Sequence, residues 1–185
     1  MKKSIVCALS VAAVMGAVLT STAASAAVTA NARASSGDPD TTVTFAVTSG
    51  LLTMTAPTTA ILGSGAPGTT ITGSLGTTAV TDNRALLAAA WTATASSTKF
   101  TTGTGTTAET IPAVDVGYSR GAITTTGTIT ATGFTITLSG TAQTVVSGTA
   151  GVGDNYASWD PTLAVAVPAA AVVGTYSGTL TQSVA

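Results

Sequence analysis

Hydrophobic and polar residues alternate along much of the chain, and this alternation is the main structural signal in the sequence. Val43, Phe45 and Val47 fall on one side of an extended segment, whereas Thr42, Thr44, Ala46 and Thr48 fall on the other. A period of two residues is typical of a β-strand with one buried face. The pattern therefore predicts a strand over residues 43–47 whose apolar face is turned toward a core.

Similar runs recur between Gly, Pro, Asn and Asp residues, which mark turns. Strands are predicted within 51–55, 69–75, 77–81, 87–95, 114–118, 123–130, 133–138, 143–146, 163–167 and 176–184. The pair Asp82-Asn83 is interpreted as a turn between 77–81 and 87–95. The segments 123–130 and 133–138 are interpreted as a hairpin.

About nine to eleven short strands with frequent turns predict an all-β fold, an antiparallel β-sandwich. Two Ala-rich segments, 84–90 and 168–173, favour helix by composition. Each is too short to be stable as a helix by itself. We therefore expect at most one or two single helical turns in the domain.

The N-terminal residues have the features of a secretory signal peptide. Lys2 and Lys3 precede an apolar stretch over 5–19, and Ala24-Ser25-Ala26 matches a signal-peptidase site. Cleavage there would remove the lone cysteine, Cys7, and leave a chain that does not span a membrane. We expect a signal peptide over 1–26, a flexible segment over 27–40 and one domain over 41–185, in a protein that is secreted and extracellular or associated with the cell wall.

The composition narrows the possible functions. Only 7% of the residues are charged and there is no His, whereas 41 of 185 residues are Thr. Beyond residue 26 the count is four basic against seven acidic residues, a net charge of −3. This balance excludes a nucleic-acid binder that depends on a basic surface, and we expect no cofactor. Thr combines strand preference with a hydroxyl group, so we expect it to cover the solvent-facing side of the strands.

Few residues are candidates for chemistry, and we expect no catalytic site. A hydrolase built on a pair of carboxylates is a minor alternative, with acids available at Glu109, Asp115, Asp154 and Asp160. Three oxygen-bearing side chains, Asp154, Asn155 and Asp160, are weak candidates for a calcium site. The competing interpretation is a Gly-Asp-Asn turn before Trp159. Trp91 and Trp159 are expected to anchor the core.

Two segments together resemble a known family. Val80-Thr81-Asp82-Asn83-Arg84 precedes Trp91-Thr92-Ala93, and the chain closes with a Tyr-containing segment, Gly174-Thr175-Tyr176, followed by Gln182-Ser183-Val184. Over about residues 40–185 this resembles the WxL-type surface domain of Gram-positive bacteria, in particular its secreted actinobacterial relatives. In that family each of the two segments carries Trp-x-Leu. Here Ala93 stands in place of the first Leu, and Gln182-Ser183-Val184 occupies the second motif.

The resemblance implies a β-sandwich that is attached noncovalently to peptidoglycan. It implies wall-binding candidates at Trp91, Thr92, Ala93, Gln182 and Val184. We therefore expect a non-enzymatic secreted protein of the cell envelope, structural or wall-associated, with peptidoglycan or other cell-surface proteins as partners. Because a Thr-rich strand edge lacks charged residues that would prevent pairing, the alternative is a subunit of a surface fibre or surface layer that self-associates through its edge strands.

Overall fold

The computed structural model describes residues 41–185, so the expected signal peptide over 1–26 and flexible segment over 27–40 lie outside the described residues. The strands lie within the compact unit Thr48–Ala185. They are β1 (Leu52–Thr55), β2 (Thr70–Ser74), β3 (Thr78–Ser97), β4 (Phe100–Thr101), β5 (Thr110–Ile111), β6 (Val116–Ser119), β7 (Ile123–Thr126), β8 (Thr130–Gly133), β9 (Thr135–Thr137), β10 (Gln143–Trp159), β11 (Thr162–Ala166) and β12 (Leu180–Val184).

The strands form two antiparallel sheets and a small ribbon. The first sheet has the order β1-β3-β10-β7, with β12 also paired to β3 and β8 also paired to β10. The second sheet has the order β2-β11-β6-β9, and β4 pairs with β5. The predicted all-β antiparallel sandwich is therefore confirmed.

A single apolar core includes residues from both sheets. Trp91 and Trp159 of the first sheet are 4% and 2% exposed, and Tyr118 and Val116 of the second are fully buried. The prediction that both tryptophans anchor the core is confirmed. Thr also lies where the alternation predicts it, since β1, β2, β9 and β12 all alternate between partly buried residues and exposed Thr or Ser.

The predicted turn at Asp82-Asn83 is wrong. Both residues lie inside β3, which continues through 20 residues and pairs with β10 along its length. A buried carboxylate is tolerated there because Arg84 binds it, with Nε 2.8 Å from Oδ1 and Nη2 2.8 Å from Oδ2 of Asp82. Because β3 includes segment 84–90, the helical turn considered there is also wrong.

Helical turns occur elsewhere in the described chain, as two 3-10 turns at Thr107–Glu109 and Ala113–Asp115. The second replaces the start of the strand predicted over 114–118. The predicted hairpin of 123–130 with 133–138 is wrong as well. Both β7 and β8 pair with β10, whereas β9 pairs with β6 in the other sheet.

The strand predicted over 43–47 is also wrong. Residues 41–47 belong to no strand and fall outside the compact unit that begins at Thr48. Val43, Phe45 and Val47 are 77%, 86% and 77% exposed. Alternation alone cannot provide the neighbouring strand that a β-strand requires. Across residues 41–185, no helix has the length and apolar character needed to cross a membrane.

Candidate functional site

Three polar side chains connect the two sheets through the core. The indole Nε1 of Trp159 donates a 3.0 Å hydrogen bond to the phenol oxygen of Tyr118. The Tyr118 hydroxyl in turn donates to Oε1 of Gln182 at 3.3 Å. Burial raises the pKa of Tyr118 to about 12, a shift that the Trp159 hydrogen bond partly opposes. At neutral pH the phenol therefore keeps its proton and can donate it to Gln182.

Gln182 also lines a groove between the sheets. This groove has a volume of about 310 Å³, and none of the side chains around it carries a charge. Leu163 of β11 lines it from the second sheet, Leu75 lines it from the residue after β2, and Leu180 lines it from β12. Its other walls are Pro57, Thr58, Thr59, Ala60, Leu62, Phe100, Gly178 and Thr179. The groove therefore offers apolar surface, hydroxyl groups and one carboxamide, which suits an uncharged ligand or an apolar peptide segment.

Strand β12 borders this groove. Among the strands within residues 41–185 it pairs with β3 alone, so its other edge is open in this part of the chain. The amides of Thr92 and Ala185 each donate to the carbonyl of the other, at 2.8 and 3.1 Å. In an antiparallel ladder the hydrogen-bonded pairs alternate, so the backbone groups of Thr181 and Ser183 point toward β3. Those of Leu180, Gln182 and Val184 point to the open side.

The wall-binding candidates come together in space. Val184 lies directly opposite Ala93, and Gln182 lies opposite Ala95, because β12 pairs with this part of β3. Of these candidates, Trp91 and Ala93 are buried, whereas Thr92, Gln182 and Val184 are partly exposed. Gly148 lies across from Trp91 in β10, and a Cβ added at that glycine would clash with the indole ring. The indole thus packs against the backbone and offers no open face to a ligand.

The calcium candidates do not form a ligand set. Asn155 is buried in β10, where its Oδ1 accepts hydrogen bonds from the amides of Thr128 and Ile129 at 3.0 and 3.1 Å. Asp154 precedes it on the exposed face of the strand. Asp160 accepts a 2.6 Å hydrogen bond from the hydroxyl of Thr77. Within residues 41–185, no group of three His, Cys, Asp or Glu side chains could hold a metal ion.

The carboxylate of Glu109 stabilises a local turn. Its Oε2 accepts hydrogen bonds from the amide and the hydroxyl of Thr106, at 3.0 and 2.8 Å, and from Thr104 at 3.1 Å. The hydrogen bond from the backbone amide of Thr106 is the main reason that the pKa of Glu109 is lowered. A carboxylate held in its ionised form in this way stabilises a 3-10 turn and is a poor proton donor.

No protein-family model, curated protein or solved structure matches the chain.

Sequence reasoning identified Gln182 and Val184 only through a family resemblance, and it identified neither the groove nor the part played by Tyr118. The groove brings residues 57–62 to the start of β12, more than 100 positions away in the sequence. Local periodicity carries no information about such a contact. The alternation in β12 was a usable signal, because it showed Leu180 and Val184 facing inward beside an exposed Thr181.

Proposed function

We propose that this protein is a non-enzymatic secreted protein of the cell envelope, a structural β-sandwich subunit that is joined to its neighbours by noncovalent contacts. The observation that carries the proposal is the open edge of β12 beside a groove without charged side chains. An edge of this kind is completed when another extended chain adds its backbone hydrogen bonds. The proposed activity is therefore assembly.

The charge distribution supports contacts of this type. Within 41–185 there are three basic and five acidic side chains, and two of these eight, Asp82 and Arg84, bind each other. The outer faces of the strands present mainly Thr and Ser. Such a surface associates through backbone hydrogen bonds, hydroxyl groups and apolar area. We therefore expect assembly to depend only weakly on salt, because salt screens interactions between charges.

A second candidate function is noncovalent binding to peptidoglycan. The observation in its favour is the composition of the groove, whose lining residues include Gln182, Thr58, Thr179 and the aromatic Phe100. Hydroxyls, amides and an aromatic ring are the groups that bind uncharged sugars. This candidate uses the groove and not the buried Trp91.

One pair of measurements distinguishes the two candidates. The full-length protein, collected from the medium of a secreting host, is sedimented with and without purified peptidoglycan, and its mass in solution is measured separately. We expect oligomers in the absence of peptidoglycan and no increase in the pellet when it is added. Pelleting that requires peptidoglycan and is lost in Gln182→Ala, but kept in the matched variant Gln143→Ala outside the groove, would favour the second candidate. A monomer that does not pellet would contradict both.

A further inference from the structure

The segment 42–48 has the pattern of an amphipathic strand, but no strand within residues 41–185 pairs with it. Its three large apolar side chains, at Val43, Phe45 and Val47, alternate with Thr and Ala, and all three are at least 77% exposed. Among the residues that the structure describes, it belongs to neither sheet. A segment of this composition reaches its preferred state when it pairs with a strand edge and buries its apolar face.

The open edge of β12 has the complementary pattern. The backbone groups of Leu180, Gln182 and Val184 point away from β3, and the side chains of Leu180 and Gln182 line the groove. Thr181 and Ser183 are exposed on the other face. Side chains that lie opposite each other on neighbouring strands share a face of the sheet. An added strand with every second residue apolar would therefore place one face in the groove and the other among exposed hydroxyl groups.

We propose that residues 42–48 of one copy pair with the open edge of β12 in a second copy, with Val43, Phe45 and Val47 turned into the groove. Thr44 and Ala46 would then lie on the opposite face, beside the exposed Thr181 and Ser183. The inference rests on the proposed function, because it names the segment that completes the strand edge in an assembly of subunits.

The segment 42–48 and the edge of β12 are both uncharged, and each has apolar side chains on one face. Neither 42–48 nor 178–184 contains a charged side chain, so nothing in either segment repels the other. The apolar walls from Leu62, Leu75 and Leu163 provide a place for the exposed ring of Phe45. The donor segment and the acceptor edge are different parts of the chain. Contacts between them are heterologous, and they generate either a closed ring or an open filament.

Cysteine trapping tests this pairing. In a Cys7→Ser background, which removes the lone native cysteine, one batch of full-length protein carries Thr44→Cys and a second batch, with a different tag, carries Thr181→Cys. The two batches are mixed under mild oxidation, and the doubly tagged disulfide is measured. We expect a heterodimer, because both cysteines lie on the outer face of the shared sheet.

The matched control replaces Thr181→Cys by Val173→Cys. Val173 is 99% exposed, so random collisions would trap a cysteine there at least as readily. We expect at least tenfold less heterodimer in this control. Equal trapping at both positions would overturn the proposal, and so would a Thr44→Cys/Thr181→Cys double variant that closes its disulfide only within one chain.

A second set of variants tests whether the apolar face of segment 42–48 is needed for assembly. Val43→Thr, Phe45→Thr and Val47→Thr are combined, and the matched control is Leu87→Thr, which alters an 85% exposed residue in β3. The three donor positions are exposed and lie in no strand, so the domain should fold unchanged. We expect trapping and assembly to be lost in the triple variant and kept in the control. If the triple variant still assembles, this inference fails while the proposed function stands; if the unaltered protein does not assemble, the proposed function fails too.

Discussion

The indole of Trp159 donates its N–H to the phenol oxygen of Tyr118 across the core, and this bond links the two sheets. Trp159 ends β10 in the first sheet, and Tyr118 lies in β6 of the second. Both side chains are at most 2% exposed. A buried N–H without an acceptor is costly, so this contact satisfies Trp159 and helps fix how the sheets pack beside the groove.

Replacement of Tyr118 by Phe tests this contact. The substitution removes the acceptor of Trp159 and the donor to Gln182 while it keeps the aromatic ring. We expect the free energy of unfolding to fall by about 1–3 kcal/mol, the cost of an unsatisfied buried polar group, as measured by urea denaturation. The control is Tyr156→Phe, at a side chain that is 38% exposed, where we expect a change within about 0.5 kcal/mol. Equal effects of the two substitutions would contradict the assignment.

The same tyrosine predicts a loss of stability in alkali. Its pKa is about 12 in the folded protein, against the ordinary value of 10.0. Because the folded pKa is raised, the stabilisation is complete below pH 10 and is lost as the pH rises toward 12. Stability measured across this range should fall in the unaltered protein and fall less steeply in Tyr118→Phe. An unchanged slope in the variant would show that another group is responsible.

The ion pair of Asp82 with Arg84 predicts a response to acid. The hydrogen bond from the Arg84 side chain is the main cause of the lowered pKa of Asp82. A lowered folded pKa stabilises the protein above the ordinary value of 3.8, and this contribution is lost as the pH falls through the folded pKa. We expect Asp82→Asn to cost about 1–3 kcal/mol at neutral pH and to flatten the acid limb of the stability curve. The control is Asp154→Asn, at an exposed position, where we expect a change in stability at neutral pH within about 0.5 kcal/mol.

The packing of Trp91 against Gly148 predicts a strong effect of a single methyl group. A Cβ at residue 148 would meet the indole ring, so the ring or the strand would have to move. We expect Gly148→Ala to lower the free energy of unfolding by about 1–3 kcal/mol, typical of an overpacked core. Gly140→Ala is the matched control, because a Cβ there meets nothing within 4 Å. If Gly140→Ala lowered the stability and Gly148→Ala did not, the packing described for Trp91 would be contradicted.

The alternation of apolar and polar residues predicts the position of a strand where one face lies in the core and the other in solvent. This applies to β1, β2, β11 and β12, all of which were predicted to within a few residues. It failed where turn-forming residues lie inside long strands. Asp82 is tolerated in β3 because Arg84 binds it, and Gly148, Gly151 and Gly153 lie within β10 beside its register shifts.

Residues far apart in sequence form the candidate site, which is why local patterns missed it. Tyr118 and Gln182 are 64 positions apart, and their contact depends on how two sheets pack. The segment 43–47 shows the opposite limit. Its pattern is as regular as that of β12, but the described chain provides it with no neighbouring strand. A periodic pattern indicates which residues can form a strand, and only the fold determines whether a partner is present.

Assembly through the open edge of β12 is tested by sedimentation velocity of the Val184→Pro variant. The N–H of Val184 points to the open side, so proline there removes a donor from the edge while the pairing with β3 is kept. The control is Val173→Pro, which places proline at an exposed residue outside the strands. We predict concentration-dependent oligomers for the unaltered protein and the control, and a monomer for Val184→Pro. If the unaltered protein stays monomeric at every concentration, or if Val184→Pro assembles as readily, the edge of β12 does not mediate assembly.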